Sequence, residues 1–413
     1  MRKNGVNREL VPVDGGVCAP AGFSANGVYC GISQKTTIVS RETETTKIRE
    51  DLALIVAEKR VPTACVCASG QMTGAPVRVT KKHLRSGYAR AAIVNSGIAN
   101  VFSENGEELA ENICAALAKR AKISADEVAI ASTGEMGKPL PFEPIEAKLG
   151  ELVAGLGTTD EHSLAAARGI MTTDRYPKQL SYAFELGDYT CKIGAIFKGN
   201  TRVCPNMATT LCFLTTDVRI SPAALQKALS SAVGNTLNML DLDGVSSPND
   251  LVCIMASGRA GNWEIDRADG DFKKFCYALG ETLTRVCLEL AKDGEDGGKA
   301  FVCKISGARS QRAARAVARS VAAVSGLKNA LLQGKIDLET LLCAVWSSGE
   351  VLETDEIEIS VGSAKGELVV FEDGKAMPVS RQTLSALLDT DELELCVRLG
   401  KGNYTATSIS RAG

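Results

Sequence analysis

Along the chain the spacing of apolar residues switches repeatedly between a period of two and a period near 3.6. Short strands are therefore expected to alternate with amphipathic helices. Residues 52–57, 63–68 and 91–95 read as strands. Residues 107–121 set Leu109, Ile113, Ala116 and Leu117 on one helical face. The apolar run 127–132 ends in Thr133-Gly134, and 163–171 is helical in pattern. Residues 180–186 and 189–197, split by Gly187-Asp188, predict a hairpin. Helices are expected over 221–233, 272–291, 310–324 and 337–346, and strands over 251–256 and 300–305. The tail returns to strand patterns at 357–361, 367–371 and 393–399. No repeat or low-complexity linker breaks this order, which points to a layered α/β or α+β protein. Hairpins mixed with crossovers argue against a simply parallel sheet.

At 413 residues the chain has room for two or three domains, or one large two-layer domain. A core of this size needs no disulfide or metal. The net charge of -2 gives no global field toward nucleic acid or a membrane surface. No apolar run is long enough to span a bilayer, and the start lacks the apolar segment of a secretory signal. No strand leads into a Gly-x-Gly-x-x-Gly turn or a P-loop, so no nucleotide cofactor is expected.

Among the 14 cysteines, Cys65, Cys67, Cys114, Cys191, Cys253, Cys287, Cys303 and Cys343 sit in apolar runs. They read as small buried hydrophobes. Cys-x-x-Cys pairs and zinc-type spacings are absent, so no metal is expected and a reducing cytoplasm fits best. His83 lies in the basic stretch Lys81-Lys82-His83-Leu84-Arg85, and His162 follows Asp160-Glu161 at a helix start. Both are expected to be solvated, which leaves a histidine-based nucleophile little to work with.

Candidate chemistry centres on Cys204-Pro205-Asn206-Met207-Ala208-Thr209-Thr210-Leu211 and the apolar run that follows. Thr209 can be an ordinary β-branched strand residue. If the chain is cut between Ala208 and Thr209, it can instead be a nucleophile. The new α-amine, with a pKa of about 8, would then serve as its internal base. Other short motifs also have two readings. Thr133-Gly134 at a strand tip is an ordinary turn, or a pair of donors for an oxyanion. Lys198 is a solvated strand end, or an anchor for a carboxylate. Asp293-Gly294-Glu295-Asp296 is a solvated loop, or an acidic cradle for an ammonium group. Met171-Thr172-Thr173-Asp174 reads as a helix end running into a polar turn.

Taken in order, these motifs carry a resemblance. Ser132-Thr133-Gly134 is followed by Ile170-Met171-Thr172-Thr173-Asp174, Lys198-Gly199, Pro205-Asn206-Met207-Ala208-Thr209 and Leu214-Thr215-Thr216-Asp217. The set resembles the ornithine acetyltransferase family, the bifunctional glutamate N-acetyltransferases. The likeness includes Gly16 to Phe23, Asp51 to Ile55, Ala75-Pro76-Val77 and Val94 to Asn100, and runs to about Ile305.

The resemblance implies a layered α/β sandwich with sheets packed between helices, self-cleaved into two chains. These would be an alpha chain of residues 1–208 and a beta chain of 209–413. The cleavage site falls at Ala208 and Thr209, and two chains of each kind form a tetramer. Thr209 is the implied nucleophile, with Thr133 and Gly134 as the oxyanion hole. Thr172, Lys198, Thr209 and Glu295 are the implied substrate contacts. The implied reaction is ping-pong acetyl transfer from N-acetylornithine to glutamate, in cytoplasmic arginine biosynthesis. It needs no cofactor, metal, nucleic acid or membrane.

Departures from the family pattern leave alternatives. Asn200-Thr201-Arg202 stands where the family has a serine- and glycine-bearing loop. Asp296-Gly297-Gly298 replaces a Gly-Ala-Thr stretch, and Asp337 to Leu342 stands near where Asn-Trp-Gly-Arg is expected. The tail through Ser408-Ile409-Ser410-Arg411 reads as shortened, and the family's terminal Asn and Thr or Ser contacts are not placed in it. A paralogue acting on another N-acyl compound, or a non-catalytic member, are the alternatives.

Overall fold

The computed structural model describes residues 9–33, 49–68, 72–199, 210–242, 247–294, 298–350 and 356–412, with the backbone of 36–39 and 44–47. The strands are β1 (Val11–Pro12), β2 (Phe23–Val28), β3 (Thr36–Val39), β4 (Glu44–Lys47), β5 (Leu52–Cys67) and β6 (Tyr88–Asn95). They continue with β7 (Val128–Ser132), β8 (Lys178–Leu186), β9 (Tyr189–Lys198), β10 (Leu211–Thr216), β11 (Leu240–Asp241) and β12 (Leu251–Ala256). The last six are β13 (Lys299–Ala308), β14 (Glu358–Ser363), β15 (Gly366–Glu372), β16 (Lys375–Ala376), β17 (Glu392–Arg398) and β18 (Tyr404–Ala412). The helices are α1 (Ala75–His83), α2 (Gly106–Ala121), α3 (Phe142–Ala154), α4 (Asp160–Gly169) and α5 (Pro222–Asn235). They end with α6 (Gly270–Lys292), α7 (Gln311–Ala322), α8 (Ser325–Leu332), α9 (Leu338–Trp346) and α10 (Arg381–Leu387).

Two compact units result. The first lies within Met1–Gly199, Asn206–Val233 and Ser246–Leu283. Its nine-stranded sheet runs β1-β8-β9-β10-β12-β5-β6-β7, with β2 also paired to β5. Strand side chains alternate between faces, so one strand feeds two cores. Leu52 and Leu54 of β5 join Ile93 and Ile130 under α1, α2 and α3. Ala53, Ile55 and Ala57 join Val94 and Ala131 on the other face, with Ala166 and Ala167 of α4. Every residue of β7, β10 and β12 is buried, as expected of strands covered on both sides. The expected sandwich of sheet between helices is therefore present, and the sheet is mixed. β10 runs parallel to β12 and antiparallel to β9.

The second unit lies within Asn200–Pro205, Gly234–Val245 and Thr284–Gly413. Its seven-stranded sheet runs β11-β18-β13-β17-β14-β15-β16. Ala314, Val317 and Val321 of α7, Leu327 of α8, and Leu341 and Val345 of α9 pack into its core. Local sequence starts these helices. Ser310 accepts the Ala313 N–H ahead of α7, and Asp337 accepts the Thr340 N–H ahead of α9.

Several expectations change. The strands expected at 52–57 and 63–68 are one strand, β5, with a register shift between Val56 and Val61. The exposed Glu58-Lys59-Arg60 interrupts the apolar pattern without ending the strand. His83 is buried rather than solvated. Its Nδ1 lies 2.8 Å from the Val128 carbonyl and its Nε2 2.9 Å from Glu111. Lys81 and Lys82 face solvent in the last turn of α1, while His83 falls on its buried face with Val79 and Thr80. His162 is half-buried, 2.6 Å from the Thr159 hydroxyl. Cys114, Cys191, Cys253, Cys287 and Cys303 are buried as expected, but Cys65 and Cys67 are half-buried and Cys343 is exposed. Among the described residues no helix is long and apolar enough to cross a membrane.

Candidate active site

Three strand ends of the first unit meet around one buried lysine. β7 ends at Ser132, β9 ends at Lys198, and β10 begins at Leu211. The β7 tip is shaped by glycine. Gly134 has φ +128°, and a Cβ there would lie 2.2 Å from the Gly97 carbonyl carbon. The Thr133 N–H donates to Asn95 O at 3.0 Å and the Glu135 N–H to Gly97 O at 3.0 Å. The Ser132 hydroxyl donates to Asn95 Oδ1 at 2.6 Å, and Asn249 Nδ2 donates to Ser132 O at 2.9 Å. Thr133 is buried within this frame, and Gly134 is exposed beside it.

Lys198 is buried, with 2% of its surface exposed. Its Nζ donates to Thr172 Oγ1 at 2.6 Å and to Thr133 Oγ1 at 3.4 Å. A buried ammonium needs a counter-charge, and Asp174 supplies it, with Oδ2 3.9 Å from Lys198 Nζ. Asp174 Oδ1 accepts from Lys178 Nζ at 2.7 Å and from the Gly199 N–H at 2.8 Å. Its Oδ2 accepts the Thr172 N–H at 3.0 Å. Burial alone would raise the Asp174 pKa, but Lys198 and Lys178 outweigh it and hold the carboxyl down to about 2. The Lys198 ammonium is itself lowered, first by burial and against the pull of Asp174. Arg49 fixes the same turn from outside, donating to Met171 O at 2.8 Å and Thr172 O at 3.1 Å.

At the start of β10, Asp250 accepts the Thr210 N–H at 2.7 Å. Asp250 is fully buried, and among the described residues its Oδ2 has no hydrogen-bond partner within ordinary geometry. Burial raises its pKa well above the ordinary range, against the opposing Thr210 N–H.

The structure thus brings Thr133, Thr172 and Lys198 together, with Gly134 adjoining. Ala208, Thr209 and Glu295 lie outside the described residues, as does the altered loop 200–202. The solvated reading of Lys198 is overturned, because the Thr172–Asp174 turn covers its head. Sequence reasoning missed Lys178, Arg49 and Asp250 altogether and left Asp174 as part of a polar turn. One signal was available for Asp250: an acid placed immediately before the wholly apolar run 251–256. Among the described residues no cluster of histidine, cysteine or carboxylate side chains could hold a metal ion.

The groups this cluster assembles are of the kind that bind anions. It offers a buried ammonium, two hydroxyls and a glycine at a strand tip, with a carboxylate behind them that holds the charges in place.

Comparison with known proteins agrees with the resemblance. The ArgJ family model matches residues 36–410. An arginine biosynthesis bifunctional protein ArgJ from Caldanaerobacter subterraneus subsp. tengcongensis is 32% identical over 96% of this chain and 95% of its own length. The ArgJ protein of Bacillus subtilis is 31% identical over 96% of this chain and 93% of its own length. Among solved structures, ArgJ from Bacillus halodurans is similar at 31% identity, covering 48% of this chain and 98% of that one, with a TM-score of 0.43. An ornithine acetyltransferase from Mycobacterium tuberculosis, complexed with ornithine, is similar at 31% identity over 42% of this chain and 88% of that one, with a TM-score of 0.37. The match over most of the length, at more than 30% identity to its relatives, means that this chain belongs to the ArgJ family.

Proposed function

We propose that this protein is an N-acetyltransferase of arginine biosynthesis that moves an acetyl group from N-acetylornithine to glutamate through an acyl-Thr209 intermediate. The observation that carries the reading is the buried Lys198 ammonium, hydrogen-bonded to both Thr133 and Thr172, in a chain of the ArgJ family. Relatives are named for bifunctional arginine biosynthesis, and one for ornithine acetyltransfer.

In this reading the chain cuts itself between Ala208 and Thr209. Residues 1–208 and 209–413 stay together as alpha and beta chains, and two of each form a cytoplasmic tetramer. The free α-amine of Thr209 takes the proton of its own hydroxyl as Oγ attacks the acetyl carbonyl. Negative charge grows on the carbonyl oxygen, where the Thr133 hydroxyl and the Gly134 N–H donate. Ornithine leaves as the amine and takes up that proton. The amine of glutamate then attacks the Thr209 ester, the bond from Oγ to the acetyl carbon breaks, and the proton lost by the amine passes through the Thr209 α-amine to Oγ, which frees acetylglutamate and restores the hydroxyl. Lys198, with Thr172, holds the substrate carboxylate, and Glu295 holds an ammonium group. Neither cofactor nor metal enters the cycle.

Two measurements test this. On a denaturing gel the purified protein runs as two pieces near half size, and Thr209→Ala restores one full-length band. A single uncut band from the unaltered chain overturns the reading. The second assay supplies acetylornithine with and without glutamate. Acetylglutamate forms only with both, and intact mass shows one acetyl group on the beta chain when glutamate is withheld. Release of free acetate at the same rate without glutamate would make the protein a hydrolase instead.

A further inference from the structure

A second chemically distinctive place lies on the first unit, built entirely from residues outside the cluster around Lys198. Cys65 and Cys67 stand two apart on β5, so their side chains share a face of the strand. Both line a cavity of about 630 Å³. Its other walls come from the end of α1 and the turn after it, with Lys81, Arg85 and Ser86, and from α5, with Gln226 and Ser230. Among the described residues the cavity is lined by two cations and no carboxylate.

The frame around the two thiols is held in place. The Gln226 side chain accepts the Cys65 N–H at 3.2 Å and donates to the Cys65 carbonyl at 3.2 Å, taking the place of a neighbouring strand. Lys81 Nζ donates to the Ala68 carbonyl at 2.8 Å, which ties its ammonium to the end of β5. Three buried cysteines of this unit behave differently. The Cys18, Cys191 and Cys253 thiols are buried and pushed up to about 12, first by burial. The Cys67 thiol moves the other way. Its pairing with the Cys65 thiol lowers it most, and Lys81 adds to this against the effect of burial. The same pairing pushes the Cys65 thiol up.

We infer that Cys67 is a covalent capture site for small anionic disulfides, which enter the cavity between Lys81 and Arg85 while Cys65 supports the attacking sulfur. The Cys67 thiolate attacks one sulfur of the disulfide RS–SR. A Cys67–SR bond forms as the S–S bond breaks, and the second RS group leaves as a thiolate that takes a proton from solvent. One disulfide is exchanged for another, so no further oxidant is needed, and excess small thiol reverses the step. The inference is independent of the acetyl-transfer reading.

Accessibility alone would direct such a reagent to Cys343, which is exposed. The test therefore lets all cysteines compete. The full-length protein is treated with one equivalent of dithiodiglycolate, which is anionic, or cystamine, which is cationic. Adducts are mapped by peptide mass, and rates are normalised to those of N-acetylcysteine with the same reagent. The expected first adduct is on Cys67, with a normalised preference for the anionic reagent of about tenfold. Cys67→Ser removes the fast phase, and Lys81→Gln, a change at an exposed position, shrinks the preference severalfold while leaving the protein folded. A first adduct on Cys343 or any other cysteine overturns the inference. So does a charge preference unchanged in Lys81→Gln, a variant that keeps the test valid should Cys67→Ser fail to fold.

Discussion

Asp174 and Asp250 are both shut away from solvent at strand ends of the first unit, yet their surroundings act on them in opposite directions. Asp174 sits between two ammonium groups and accepts two backbone N–H groups, and its carboxyl is held down to about 2. Asp250 accepts the Thr210 N–H, has no ammonium within ion-pair distance among the described residues, and is pushed up by burial against the Thr210 and Ser247 N–H groups. Equal burial thus has two outcomes, and the nearby cations decide between them. Asp174 is a fixed charge that works against the lowering of Lys198 by burial and helps hold it in place. Asp250 resists ionising and shapes the start of β10 chiefly as a hydrogen-bond acceptor.

The largest effect should come from removing the fixed charge. Asp174→Ala leaves the Lys178 and Lys198 ammonium groups buried without their counter-charge, a loss of about 3–5 kcal/mol by analogy with other broken buried pairs. Urea unfolding measures it, and acetyl transfer should fall along with stability because Thr172 and Lys198 lose their anchor. A loss below about 1 kcal/mol would mean that the two lysines find other partners, and the contrast with Asp250 would collapse.

Acid provides the next test. The folded-state pKa of Asp174 lies below its ordinary 3.8, so its contribution is complete above about pH 4 and fades as pH falls toward 2. Its share is about 2 kcal/mol, the size of the shift expressed as free energy. In Asp174→Asn this part of the acid dependence should be absent. An acid profile identical to that of the unaltered protein would remove the fixed charge from the account.

The same contrast explains what could be read from the sequence. Strands β10 and β12 were legible because a wholly buried strand needs an unbroken apolar run, and both have one. The hairpin of β8 and β9 was legible from Gly187-Asp188 at its turn. β5 was read as two strands because Glu58-Lys59-Arg60 imitates a loop, and only pairing with β6 on one stretch and β12 on the next shows one continuous element. Thr133, Thr172 and Lys198 were found through a motif order, which lists residues without saying how charge is balanced among them. Lys198 looked like a solvated strand end because its neutraliser is Asp174, 24 residues earlier, and that pairing exists only after β8 and β9 fold back on each other. His83 misled in the same way. Three basic neighbours lie beside it in sequence, while its actual partners are Val128 O and Glu111.

The smallest effect is at Asp250, and it separates the two carboxylates most cleanly because its sign is opposite. Asp250→Asn keeps an oxygen to accept the Thr210 N–H and removes the need to bury a charge. The folded-state pKa of Asp250 is raised, so the group favours the folded state fully below its ordinary pKa and loses that contribution as pH rises through the raised value. The asparagine variant has nothing to lose over that window. It should therefore match the unaltered protein near pH 3 and become the more stable of the two toward neutrality, by about 1 kcal/mol. Asp174→Asn should show the reverse, with a deficit that opens as pH rises from about 2 and is complete above about pH 4. Urea midpoints of both variants across pH 2 to 8 decide the matter. If the two difference curves slope the same way, then burial alone, and not the placement of Lys178 and Lys198, governs charge at this site.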